Sequence, residues 1–150
     1  MDEHSIKRDV HRFRLPQGWE DETIHTFRGP HDGDMQHYVI LMIDDNVGII
    51  DIGQYARRQL ESQRLGEPPV EVIRQGERLL TPDLTVYECV SKWIPVDTRI
   101  LYLRQYYALK NGCGYSFSCE FTKRSLATIG HEVDQLVAAV LEETEELDES

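Results

Sequence analysis

The chain of 150 residues has few cysteines, few positive charges and no long apolar run. Cys89, Cys113 and Cys119 are sparse and odd in number, which excludes a disulfide framework and points to a reducing compartment. No apolar run exceeds six residues, as in Tyr38–Ile43, against the ~20 needed to span a bilayer. Lysine and arginine total 16 against 27 acids, a net charge of −11. That balance argues against nucleic-acid binding and stable membrane association, both of which reward cations. The opening MDEHSIKRD has no apolar core of a secretory leader, so a cytoplasmic protein is expected. Six of the acids stand in the last nine residues, EETEELDES. Glu142–Ser150 therefore reads as an acidic tail behind a single domain spanning residues 1–141.

Recognisable catalytic and metal motifs are missing too. His31 and His37 lie near Asp32, Asp34, Asp44 and Asp45, yet there is no His-x-x-x-His, Cys-x-x-Cys or His-Glu-x-x-His spacing. The segment NGCGYS lacks the lysine of a phosphate-binding loop and introduces a strand rather than a helix. No Gly-x-Ser-x-Gly elbow occurs, and Cys113 has no histidine at an informative spacing. The expectation is a protein with no catalytic residues, metal or cofactor.

What is present is strand. VHRFRL alternates up to Pro16, and ETIHTFR and QHYVILMID form a hairpin pair about the turn-rich GPHDGD. From Ile49 the period becomes helical: Ile49, Ile52, Ala56 and Leu60 share one face, and Gly66 with Pro68-Pro69 ends the helix. Four strands follow, VEVIRQGER, LTVYECVSKWI, TRILYLRQYYALK and GYSFSCEFT, with Asn111-Gly112 marking the last hairpin. Val133, Leu136, Val137, Val140 and Leu141 form the stripe of a closing helix. The order βββ-α-ββββ-α defines an α+β fold, an antiparallel sheet of about six to seven strands with two helices on one face.

Two strands carry more apolar surface than one buried face requires. In Arg99–Leu109, Leu101, Leu103, Tyr107 and Leu109 oppose Ile100, Tyr102, Tyr106 and Ala108. In Tyr38–Ile43, Val39, Leu41 and Ile43 oppose Tyr38, Ile40 and Met42. Such strands are either central and covered on both faces, part of a dimer seam, or one wall of an apolar groove open to a partner. Gln105 shares a face with Leu101, Leu103 and Tyr107, and Gln59 borders the stripe of the first helix. An amide among apolar groups needs its bonds met, and a partner could supply them.

The succession LPQGWEDETIHTF, IGQYARRQLES and LYLRQYYAL before a Gly-rich hairpin resembles the Eag chaperones, the effector-associated chaperones of bacterial type VI secretion. The likeness runs from Val10 to Leu141 and implies a PsbP-like fold and a non-enzymatic homodimer. It further implies a chaperone that binds the N-terminal region of a secreted effector, of the Rhs or PAAR-containing kind. The chaperone would shield the effector's transmembrane helices and aid loading onto the secretion spike. By the same likeness Gln59 and Gln105 match glutamines that contact the client. A groove lined by Ile24, Val39, Leu41, Leu101, Leu103 and Tyr107 would then take the client helix, with the two amides fixing its register. The alternative is a PsbP-like module that binds a small molecule or protein outside secretion.

Overall fold

The computed structural model describes residues 14–19, 24–33, 35–45, 47–48, 50–64, 71–93 and 99–149, with the backbone alone for 63–64 and 143–149. The strands are β1 (Ile24–Asp32), β2 (Met35–Asp44), β3 (Glu71–Thr81), β4 (Leu84–Trp93), β5 (Leu101–Lys110) and β6 (Cys113–Phe121). The helices are α1 (Ile52–Arg64), α2 (Lys123–Thr128) and α3 (Gly130–Glu149). One antiparallel sheet runs β1-β2-β6-β5-β4-β3, so the described residues form an α+β fold with six strands and three helices.

Local chemistry accounts for several element ends. Asn111 and Gly112 both take positive φ, 52° and 78°, as a two-residue type I′ hairpin requires. Asp51 Oδ1 accepts from the Gln54 amide at 2.8 Å, and Gln54 Oε1 accepts from the Asp51 amide at 3.1 Å, a reciprocal cap that starts α1. Thr122 and Ser125 cap α2 in the same reciprocal way.

The helices differ from the expected arrangement in number and in side. The closing helical region is two helices, α2 and α3, and the helices cover both faces of the sheet. α2 and α3 bury Ile129, Val133, Val137, Val140 and Leu141 against Val39, Leu41, Tyr106, Tyr115, Phe117 and Phe121. On the opposite face α1 buries Tyr55, Ala56 and Leu60 against Tyr87, Cys89 and Tyr107. The reason is topological. β2 is second in the sheet and β3 last, so the chain between them must cross one face, and α1 makes that crossing. Strands β4 and β5 are apolar on both sides because helices lie on both sides.

Of the strand expected over VHRFRL, Arg14 and Leu15 are not in a strand, and Val10–Phe13 lie outside the described residues. Ile49, Gly66 and Pro68-Pro69 also lie outside them. The α3 backbone is helical through Glu149. No helix among the described residues is long and apolar enough to cross a membrane.

A candidate binding surface on the outer face of β1 and β2

The eight residues expected to line a groove divide between the two faces of the sheet. Val39 and Leu41 point into the core under α3, where they are 6% and 0% exposed. This corrects their assignment to a groove: the alternating strand sends odd positions of β2 toward α3 and even ones to the opposite face. Leu101, Leu103, Gln105 and Tyr107 share that opposite face with Ile24, and α1 with its Gln59 packs over it. The central β5, however, is covered there by its own chain. Gln105 is 6% exposed and Tyr107 0%, Leu101 is buried, and Leu103 and Gln59 are half-buried. The second face of Arg99–Leu109 is therefore mostly core, and among the described residues no open groove runs along β5.

Open apolar surface occurs two strands away. On the α1 face, β2 presents Tyr38, Ile40 and Met42, 45%, 41% and 40% exposed, and β1 adds Ile24 at 55%. The registers place Ile24 beside Met42, Thr26 beside Ile40 and Arg28 beside Tyr38. On the other flank β6 sets Ser116 beside Met42 and Ser118 beside Ile40. A ridge of large side chains on β2 thus borders a row of small ones on β6. Beyond that row stands α1, whose Tyr55 hydroxyl lies 3.2 Å from Ser116 Oγ. Gln105 is the cross-strand neighbour of Ser118, so one row across the sheet reads Thr26, Ile40, Ser118, Gln105. In a helix Gln59 follows Tyr55 by one turn and lies on the same side of α1.

Charged residues rim this strip. Arg28 is exposed beside Tyr38, and Glu120 is half-buried two residues beyond Ser118. Asp44 and Asp45 are exposed past Met42. Arg58 lies close enough to act on the Tyr55 phenol, as does Asp44. Burial raises the Tyr55 pKa above its usual value, so that hydroxyl stays neutral and serves as a hydrogen-bonding group.

The opposite face holds polar groups of structural use. Glu88, nearly fully buried, meets Arg78 at 2.9 Å and Arg104 at 3.4 Å, and Asp134 on α3 meets Arg78 at 2.6 Å. The Tyr106 hydroxyl donates to Asp134 at 2.5 Å. These contacts tie α3 to three strands. His37 is buried beside the Phe121 ring. Its Nδ1 is 3.0 Å from the Pro30 carbonyl oxygen and its Nε2 2.9 Å from Ser125 Oγ. A carbonyl oxygen only accepts, so Nδ1 carries the proton. His37 therefore joins the β1–β2 hairpin to the α2 cap. Ser125 is fully buried and out of reach of any substrate, so the pair is not a nucleophile and base. Among the described residues no group of three or more His, Cys, Asp or Glu side chains could hold a metal ion.

Sequence periodicity separated the two apolar faces of β2 but took the buried one, Val39 and Leu41, for the groove wall and missed the exposed Tyr38, Ile40 and Met42. The discriminating signal was available: β1 and β2 form the first hairpin, so β1 had a route to the sheet edge, while β5 lies inside a run of four strands.

An α+β domain with helices on both faces of an antiparallel sheet, and an exposed apolar strip on β1 and β2, is the class these observations define. No family model and no curated protein matches the chain. A similar solved structure is that of PA94 from Pseudomonas aeruginosa, a protein of unknown function described as a candidate regulator. It aligns with a TM-score of 0.64 at 19% identity, covering 82% of this chain and 85% of that one. The two share a fold.

Proposed function

We propose that this protein is a chaperone of the Eag kind, which binds the N-terminal transmembrane region of a type VI secretion effector and shields it before loading onto the spike. The observation that carries the reading is the uncovered strip of Ile24, Tyr38, Ile40 and Met42. Four large apolar side chains on adjacent strands of one face, each about half exposed, are a partner-binding feature rather than scattered surface. Burial of such surface stabilises a complex by roughly 25 cal/mol per Å². The strip, not the covered β5 residues, is the client contact in this reading. Gln59 lies on α1 one turn beyond Tyr55, and Gln105 sits one strand behind Ser118 as a support. The PsbP-like fold assignment, the homodimer, the cytoplasmic location and the absence of catalysis belong to the same proposal.

The test is co-expression with the N-terminal fragment of an Rhs or PAAR-containing effector that carries its predicted transmembrane helices. Soluble complex should be recovered with the native chain and lost with Ile40→Asp, whose melting temperature should stay near native because Ile40 is outside both core clusters. Equal recovery with Ile40→Asp and Met42→Asp, both folded, would remove the strip from the mechanism.

A further inference from the structure

The strip has a definite length, and that length is shorter than a membrane helix. Along β2 it runs from Tyr38, flanked by Arg28, to Asp44. Six residue steps of a strand cover about 20 Å, which an α-helix matches with 13 to 14 residues at ~1.5 Å each. Across the sheet β1, β2 and β6 span about 10 Å, close to the diameter of one helix with its side chains. An extended peptide is a poorer occupant: β2 is already paired on both edges, with β1 and with β6, and offers no free ladder on its face. A helix satisfies its own backbone and needs only apolar contact.

The ends also differ in charge. Asp44 and Asp45 are exposed carboxylates at one end, and Arg58 of α1, like Asp44, acts on the Tyr55 phenol there. Arg28 stands at the other end, with the half-buried Glu120 across Tyr38 from it. The Asp44 end is thus the more negative, and it complements a helix N-terminus, which carries roughly half a positive charge, or a basic flank.

Resting on the client-binding reading above, we infer that the strip holds an apolar α-helix of about 14 residues lying along β2 with its N-terminal end over Asp44 and Asp45, and that it leaves the remainder of a ~20-residue membrane helix uncovered. One chain is then an incomplete shield. A full-length transmembrane helix needs a second surface, such as the same strip on another copy.

The probe is a series of leucine-alanine helices of 10, 14, 18 and 22 residues fused to a soluble carrier, with two lysines at the N-terminal or the C-terminal flank. With the chaperone diluted until it sediments as a monomer, affinity should tighten from 10 to 14 residues and then stay level to 22. The N-terminally flanked 14-mer should bind about two- to fivefold tighter than its C-terminal counterpart, and Asp44→Asn with Asp45→Asn should erase that preference while the apolar contact persists. Affinity that keeps rising through 22 residues, or a preference for the C-terminal flank, overturns the inference and leaves the docking surface standing. Binding at no length, or binding unaffected by Ile40→Asp, overturns the docking reading itself.

Discussion

The Tyr55 hydroxyl lies 3.2 Å from Ser116 Oγ, and this contact seats α1 on β6 at the border of the uncovered strip. Beside it, a Cβ at Gly114 would collide with the Tyr55 ring. Glycine stands at 114 because an aromatic ring occupies the space a side chain would fill. Gly114→Ala should therefore destabilise by about 1–3 kcal/mol through overpacking, whereas Ser116→Ala should cost only about 1 kcal/mol for the lost hydrogen bond. Urea unfolding with unchanged slope is the check. A neutral Gly114→Ala would mean that α1 shifts freely and does not define a wall.

Glu88 is the pivot of the ionic contacts beneath α3, because Arg78 and Arg104 both rely on it. Removing it leaves Arg104 buried, with Asp134 as its other acid. Glu88→Ala should lose about 3 kcal/mol or more. Adding Arg104→Met should recover part of that loss, since the stranded charge goes with it, and a double-mutant cycle would show strong non-additivity. Simple addition of the two losses would show that the arginine does not depend on the glutamate.

Alkaline pH should weaken the fold. Burial pushes the Cys119 thiol up to about 12 and raises the Tyr106 and Tyr55 phenols above their usual values. The folded chain then holds protons that the unfolded chain releases above pH ~9 for the thiol and ~10 for the phenols. The stability these groups contribute is complete below pH ~9 and falls as pH rises toward 12. Chemical denaturation at pH 8, 9.5 and 11 should show the midpoint dropping, and phenolate absorbance should appear together with unfolding. Ionisation of all tyrosines well before unfolding would contradict the buried placement of Tyr55 and Tyr106.

Leu101→Asp separates core from surface. The residue is buried at 6% exposure, so the substitution should lower the melting temperature of the protein alone by about 6 °C or more, given 2–4 °C per kcal/mol at this chain length and a core loss of several kcal/mol. This differs from the expectation that Leu101 lines an open groove. Ile40→Asp, on β2 two strands away, should leave the melting temperature almost unchanged. Similar melting of the two variants would place both side chains in equivalent surroundings.

Much of the fold was legible in local chemistry. The Asn111-Gly112 turn, the apolar stripe of the closing helix and the inward side of β6 all follow from residue spacing and backbone preference, which depend only on near neighbours in sequence, whereas the helical period read from Ile49 becomes α1 only at Ile52. The side of the sheet that each helix covers is not encoded at that range. Period-two alternation states that β2 and β5 are apolar on both faces and is silent on what lies over each. Burial is a property of the whole packing arrangement, so it was decided only when α1 crossed from β2 to β3 over the outer face of β4 and β5. That crossing sealed Gln105 and Tyr107 and left Tyr38, Ile40 and Met42 open, because one helix is about 10 Å wide and cannot cover six strands.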